Sequence, residues 1–197
     1  RIPAYGRVGE GRWEGDENEY SAVYYRKDLL DVVSTHQIWL SETPDVPGSK
    51  SWDSSLPRIC TWAVFSHKET GKKFAFFNTH LDHRGSEARQ KGTELIWKEM
   101  SKYIEQGMPC FLTGDFNATP DSAPITFLRS KLVDALESQG KGTIGTFHGF
   151  RGATEHGPID YIFCTDDIKV LDGEVIDYEV NGILPSDHFP IIARVEL

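Results

Sequence analysis

Along this chain, apolar and polar residues alternate in several short runs, and one longer run places its apolar residues at helical spacing. "EYSAVYYR" (19–26) and "DVVSTHQIWL" (31–40) alternate enough, with Val, Tyr and Ile, to read as strands, and the pair is expected to be antiparallel. "RICTWAVFSH" (58–67) and "KKFAFFNTHL" (72–81) flank "KETGK" and form the clearest hairpin, with Gly71 at the turn. In residues 86–106, Leu95, Ile96, Met100, Tyr103 and Ile104 fall on one face of a helix. Ser86 is its expected N-cap, Gly107 its stop, and Pro109 lies just beyond. "PCFLTG" (109–114), "PIDYIFCT" (158–165) and "PIIARVEL" (190–197) read as further strands, with a short helix near "APITFLRS" (123–130). The Gly- and charge-rich residues 1–18 read as loop, and 41–57 as a long Pro/Ser/Gly-rich loop. Many strands beside one long helix favour layered sheets covered by helices over a regular alternation of strand and helix.

Composition narrows the class. The 197 residues suit one domain, and 39% hydrophobic with 12% aromatic content is globular. Thirty acidic residues against 21 basic give a formal charge of −9, which argues against broad adhesion to nucleic acid or anionic membranes. A phosphate substrate stays open, because a bound cation can reverse the field locally. Cys60, Cys110 and Cys164 each lie in an apolar, strand-like run and are expected as buried free thiols. No stretch is long and apolar enough to span a bilayer, and no signal peptide is evident. The expectation is a monomer, with the compartment open and the cytoplasm slightly ahead of secretion.

Four clusters at strand ends carry the chemistry: "NTHLDH" (78–83), "GDFN" (114–117), "PIDYIF" (158–163) and "SDHFP" (186–190). Each sets a carboxylate or imidazole beside an apolar run, where an unpaired charge is costly. Singly, each has a plainer reading: Asp115 and Asp160 as turn formers, His80 as a hydrogen-bonded strand end. Together and in this order they weaken those plainer readings and raise the expectation of a site that handles phosphate and a metal ion. Gly114 is expected to turn the backbone tightly and deliver Asp115 and Asn117 to one mouth. Asn117-Ala118-Thr119 also spells a glycosylation sequon, but a sugar there would block the expected site, so it is discounted.

These motifs resemble the DNase-I-like endonuclease/exonuclease/phosphatase superfamily, from about residue 19 to the end of the chain. The resemblance implies an α+β fold, a four-layer sandwich of two mixed, largely antiparallel sheets packed face to face and flanked by helices. It implies hydrolysis of a phosphoester by in-line attack of an activated water, with Mg²⁺ or Mn²⁺. By resemblance His188 acts on the phosphate with Asp160 fixing its tautomer, Asp115 positions or deprotonates the water, and Asn117 holds nucleophile and phosphate. His80 donates to a phosphate oxygen, Glu19 pairs with His80, Asp187 helps bind the metal, and Arg58 reaches the phosphate.

Members of that superfamily open with a strand carrying an Asn and a second element ending in Gln-Glu, neither of which is found here. The resemblance therefore implies a single domain over 1–197 that lacks its first strand and first metal-ligand element. Glu10, Glu14 and Glu17 carry no mark of a replacement.

Hard oxygen donors fit Mg²⁺ or Mn²⁺ without appeal to family. A covalent serine or cysteine mechanism lacks its G-x-S-x-G. A zinc hydrolase is the second enzyme class, through "THLDH", and a non-catalytic binding module is the other alternative. Nucleic acid, a sugar or inositol phosphate, and a phospholipid headgroup are all candidate substrates. Trp52 is a candidate to stack a base or sugar, and Arg84, with Arg89, to meet phosphate. The absence of an interleaved aromatic-basic track favours a small phosphoester over duplex DNA.

Overall fold

The computed structural model describes residues 2–13, 18–152, 154 and 156–197. Among the described residues, ten strands and two α-helices follow in the order β1 (Tyr5–Val8), β2 (Val23–Arg26), β3 (Leu30–Trp39), β4 (Ile59–His67), β5 (Lys73–His80), α1 (Ser86–Ile104), β6 (Cys110–Asp115), α2 (Ala123–Arg129), β7 (Val133–Asp134), β8 (Asp160–Cys164), β9 (Lys169–Val175) and β10 (Ile191–Glu196), with a 3-10 turn at Glu137–Gln139. Six strands form the central sheet in the order β3-β4-β5-β6-β8-β7. It is antiparallel except at β5–β6, where α1 supplies the crossover that a parallel pair requires.

Alternation along the central strands separates two cores. Ala75 and Phe77 on β5, Leu112 on β6 and Phe163 on β8 face one side, where Ile96 and Met100 of α1 and Ile125 and Leu128 of α2 pack on them. Phe74 on β5, Phe111 on β6 and Cys164 on β8 face the other, against Val8 of β1 and Val23 of β2, with Val170 of β9 and Val195 of β10 packed alongside. The fold is an α+β sandwich. Its second sheet is present as two antiparallel ribbons, β1–β2 and β9–β10, and both α1 and α2 cover the first sheet.

Between the ribbons runs an apolar cleft of about 750 Å³, lined by Val23, Phe76, Phe111, Ile162 and Ile192 and reaching Asp115 and Asp160. No helix is long and apolar enough to cross a membrane among the described residues.

Three sequence expectations are corrected. Residues 1–18 are not all loop: β1 forms there, and it rather than β3 is the partner of β2. The N-cap position of α1 is Gly85, not Ser86, and the cap is remote. Asp53 accepts from the backbone N–H of Ala88 at 2.7 Å and of Glu87 at 3.3 Å, satisfying first-turn donors that no local side chain reaches. A Cβ at residue 85 would stand 2.5 Å from Asp53 Oδ1, so glycine is what lets that loop approach. Finally, Gly114 does not turn the chain. It lies inside β6 with φ 150°, and a Cβ there would sit 2.0 Å from the Thr79 carbonyl oxygen of β5. Close approach of two backbones requires the glycine. The left-handed residue is Asn117, with φ 46°. Cys60, Cys110 and Cys164 are buried and unpaired.

Candidate active site

Register builds the site. His80 on β5 stands opposite Asp115 on β6, and Asp115 stands opposite Asp160 on β8. Paired residues of neighbouring strands share a face at about 5 Å spacing, so three polar side chains form one row on the face turned toward the ribbons. His80 Nε2 lies 3.3 Å from Asp115 Oδ2. The next contact comes from the segment before β10, where His188 Nδ1–H donates to Asp160 Oδ2 at 2.8 Å and Nε2 stands 3.9 Å from Asp115 Oδ2. Asp115 thus sits between two imidazoles, each held at its far nitrogen by a carboxylate. For His80 that carboxylate is Glu19, whose Oε1 accepts from Nδ1–H at 2.7 Å.

The two histidines differ in charge preference. Burial, reinforced by Arg58, pushes His80 down to about 4 and favours neutral imidazole. His188 moves upward, chiefly through its hydrogen bond to Asp160. Burial, with the neighbouring charge of Asp160, pushes the Asp115 carboxyl up to about 6. One histidine is thus biased toward the neutral form and the other toward the protonated form, with a carboxyl of raised proton affinity between them.

Behind Glu19 lies a buried ion network. Arg12 Nη2 is 2.8 Å from Glu19, and Arg58 reaches Glu19 and Asp82 at 3.5 Å each. Asp82 is 2% exposed and accepts from the backbone N–H of Ser55, Leu56, Arg84 and Gly85 and from the Ser55 hydroxyl. Burial opposes its charge, but these donors outweigh burial and hold the carboxyl well below the usual range. Asp82 ties the loop ahead of β4 to the end of β5 and fixes Arg58, which in turn acts on Glu19 and His80.

Five of the residues singled out from sequence therefore converge: Glu19, His80, Asp115, Asp160 and His188. Asn117 joins them by bracing Asp115. Its backbone N–H donates to Oδ1 at 2.8 Å, and its side-chain Nδ2 donates to the Leu81 carbonyl at 3.0 Å and lies 3.5 Å from Oδ2. Arg58 does not reach outward. It is 4% exposed, and its guanidinium also donates to His83 Nδ1 at 3.0 Å, so its role is to hold Glu19 in place. Among the described residues, ligand atoms of Asp115, Asp160 and His188 lie within 4.8 Å of one another, and the carboxylate of Asp187 meets the Ser186 hydroxyl at 3.5 Å.

Arg84 is exposed, with its backbone N–H on Asp82, and Trp52 is half-buried at φ 55° in the loop that Asp82 secures. Glu10 anchors by its backbone to Gln37, and Glu14 and Glu17 lie outside the described residues. Sequence reading passed over Asp82, although it lies within "NTHLDH", and Thr146, whose hydroxyl accepts from the backbone N–H of Ile159 at 3.1 Å and of Asp160 at 3.2 Å.

With this geometry in hand, sequence comparison is decisive: residues 14–188 match the Endonuclease/Exonuclease/phosphatase family. The chain belongs to that family. Among solved members, a mannosyl-6-phosphatase of Bacteroides thetaiotaomicron is 36% identical with a TM-score of 0.90, over 100% of this chain and 78% of that one. A second member, from Bacteroides vulgatus, is also 36% identical at a TM-score of 0.90, over 100% of this chain and 77% of that one. An RNA exonuclease of Saccharomyces cerevisiae is 24% identical over 92% of this chain, which spans 59% of the yeast protein's length. The human nocturnin catalytic domain, 17% identical with a TM-score of 0.73 over 98% of this chain and 73% of its own, shares the fold. Phosphoester hydrolysis is the chemistry of this family's nucleases and phosphatases.

Proposed function

We propose that this protein is a divalent-metal-dependent phosphatase of small phosphate monoesters, with sugar phosphates the favoured substrates. The observation that carries the reading is the row His80–Asp115–Asp160 closed by His188. Similarity to a mannosyl-6-phosphatase supports a sugar phosphate, and the charge of −9 disfavours a polyanionic nucleic acid.

In this reading Asp115, braced by Asn117, orients water and takes its proton as the water oxygen attacks phosphorus. The ester P–O bond breaks opposite, and the departing alkoxide takes a proton from His188, whose imidazolium Asp160 stabilises. His80, held by Glu19 at Nδ1–H, flanks Asp115; with the proton the two share placed on Nε2 and Asp115 ionised, it donates to a phosphoryl oxygen as charge grows there.

The donor set fits a hard cation. Asp115 and Asp160 present carboxylate oxygens near His188, and both burial and the neighbouring charge of Asp160, which together raise the proton affinity of Asp115, are effects a bound cation would offset. When bound, Mg²⁺ or Mn²⁺ would neutralise phosphate oxygens. Zinc chemistry through "THLDH" has less support, because Asp82 is committed to backbone donors and His83 to Arg58.

The test is phosphate release from mannose 6-phosphate, with a nicked-plasmid assay beside it, in Mg²⁺, Mn²⁺ or chelator. Metal-dependent release exceeding plasmid nicking supports the proposal. Preferential nicking at low enzyme concentration would overturn it.

A further inference from the structure

We propose that Phe147 is a specificity-determining residue, its exposed ring forming the wall on which the sugar ring of the leaving group packs. This rests on the sugar-phosphate reading above and names the side chain that would carry it.

The segment Thr146–Gly149 is clamped along the stretch before β10 that carries His188. Phe189 N–H donates to the Thr146 carbonyl at 2.7 Å, and the N–H groups of His148 and Gly149 donate to the Asp187 carbonyl at 3.0 and 3.1 Å. Phe147 and His188 form an antiparallel bridge. Thr146 and His148, on either side, are buried, the first holding Asp160 and the second lying against Phe189 with ring centroids 4.2 Å apart. Pleating then turns Phe147 the other way.

Its ring meets His188 at 5.0 Å between centroids and 61°, yet stays 47% exposed. A smaller residue would serve the backbone clamp equally well, so the fold does not account for a half-exposed phenyl ring at this place. Gly149 adopts φ 55°, and a Cβ there would stand 3.4 Å from Phe147 Cζ, so glycine keeps that side of the ring uncovered. An exposed apolar surface thus stands beside the imidazole that, in this reading, faces the departing oxygen.

The C–H face of a pyranose suits such a surface, and a neutral sugar carries only the phosphate charge into an acidic protein. Phe150, 64% exposed at φ 62° three residues on, is a second exposed aromatic in the same loop. A bulky residue held at positive φ without burial is a strained feature that packing does not explain.

The experiment compares the full chain with Phe147→Ala and Phe147→Trp on mannose 6-phosphate, glycerol 3-phosphate and a nucleoside 5′-monophosphate. The expected result is that Phe147→Ala raises KM for mannose 6-phosphate about five- to tenfold. Its kcat/KM for glycerol 3-phosphate stays within about twofold of wild type, and Phe147→Trp restores the sugar phosphate KM. An equal fall in kcat on all substrates would make Phe147 a support for His188 and overturn the proposal. Unchanged KM for the sugar phosphate would overturn it too, as would a larger loss on the nucleotide. Failure of the wild type to hydrolyse mannose 6-phosphate would instead overturn the sugar-phosphate reading beneath it.

Discussion

His80 Nε2 stands 3.3 Å from Asp115 Oδ2, across a register pair of the parallel strands β5 and β6. With His80 Nδ1–H committed to Glu19, a single proton between imidazole and carboxyl satisfies both groups. The contact is made by strand register, not by a loop, and register is specified by the two buried faces of the central sheet. Site geometry and fold stability are therefore linked at the same residues.

Asp115 is expected to lower stability at neutral pH. Its folded pKa of about 6 lies above the ordinary carboxyl value, so the folded state holds the proton more tightly. The stability that protonation confers is fully present below the unfolded pKa and is lost as pH rises through about 6. In chelator, Asp115→Asn should melt with wild type near pH 4 and above it at pH 8, by about 1–2 kcal/mol. Melting curves across that range check this.

Asp82 behaves in the opposite sense. Its carboxyl is held below the usual range, so its contribution is present above the unfolded pKa and lost as pH falls through the folded one. Asp82→Ala leaves four backbone donors without their acceptor, that of Gly85 buried, and removes one carboxylate from beside the buried Arg58 guanidinium, and should cost about 3–5 kcal/mol. Denaturant unfolding at pH 7 measures it.

Glu19→Gln should leave the fold intact while loosening the tautomer and orientation of His80. Turnover is expected to drop about 10- to 100-fold with KM little changed. A change in KM alone would place Glu19 in substrate binding instead.

Gly114→Ala is expected to disrupt β5–β6 pairing, because its Cβ would stand 2.0 Å from Thr79 O. A loss of about 3 kcal/mol or more is expected, against roughly 1 kcal/mol of gain from alanine at an unstrained strand glycine. Thermal unfolding separates the two.

How much of this was legible follows from where each residue gets its partner. His80, Asp115, Asp160 and His188 could be read because each interrupts or follows an apolar run that ought to continue. The hairpin β4–β5 and helix α1 could be read because their periods are long and their turn chemistry local. What failed was non-local. Pairing of β2 with β1 is fixed by a packing choice across the sandwich, and nothing in "IPAYGRV" announces a strand. The α1 cap comes from Asp53, 35 residues before the N–H of Ala88 it receives. Arg58 looked available as a phosphate ligand because sequence cannot show that Asp82, Glu19 and His83 surround it. Thr146 and Phe147 carry no motif at all; their role comes from lying beside residues 187–189.

The most direct test is phosphate release from mannose 6-phosphate with Mg²⁺ or Mn²⁺, comparing wild type with Asp115→Asn and His188→Ala, each verified as folded. The account predicts that both variants lose about 10²–10⁴-fold in kcat while folding like wild type. Wild-type turnover by folded Asp115→Asn would contradict it and remove the His80–Asp115–Asp160 row from the chemistry.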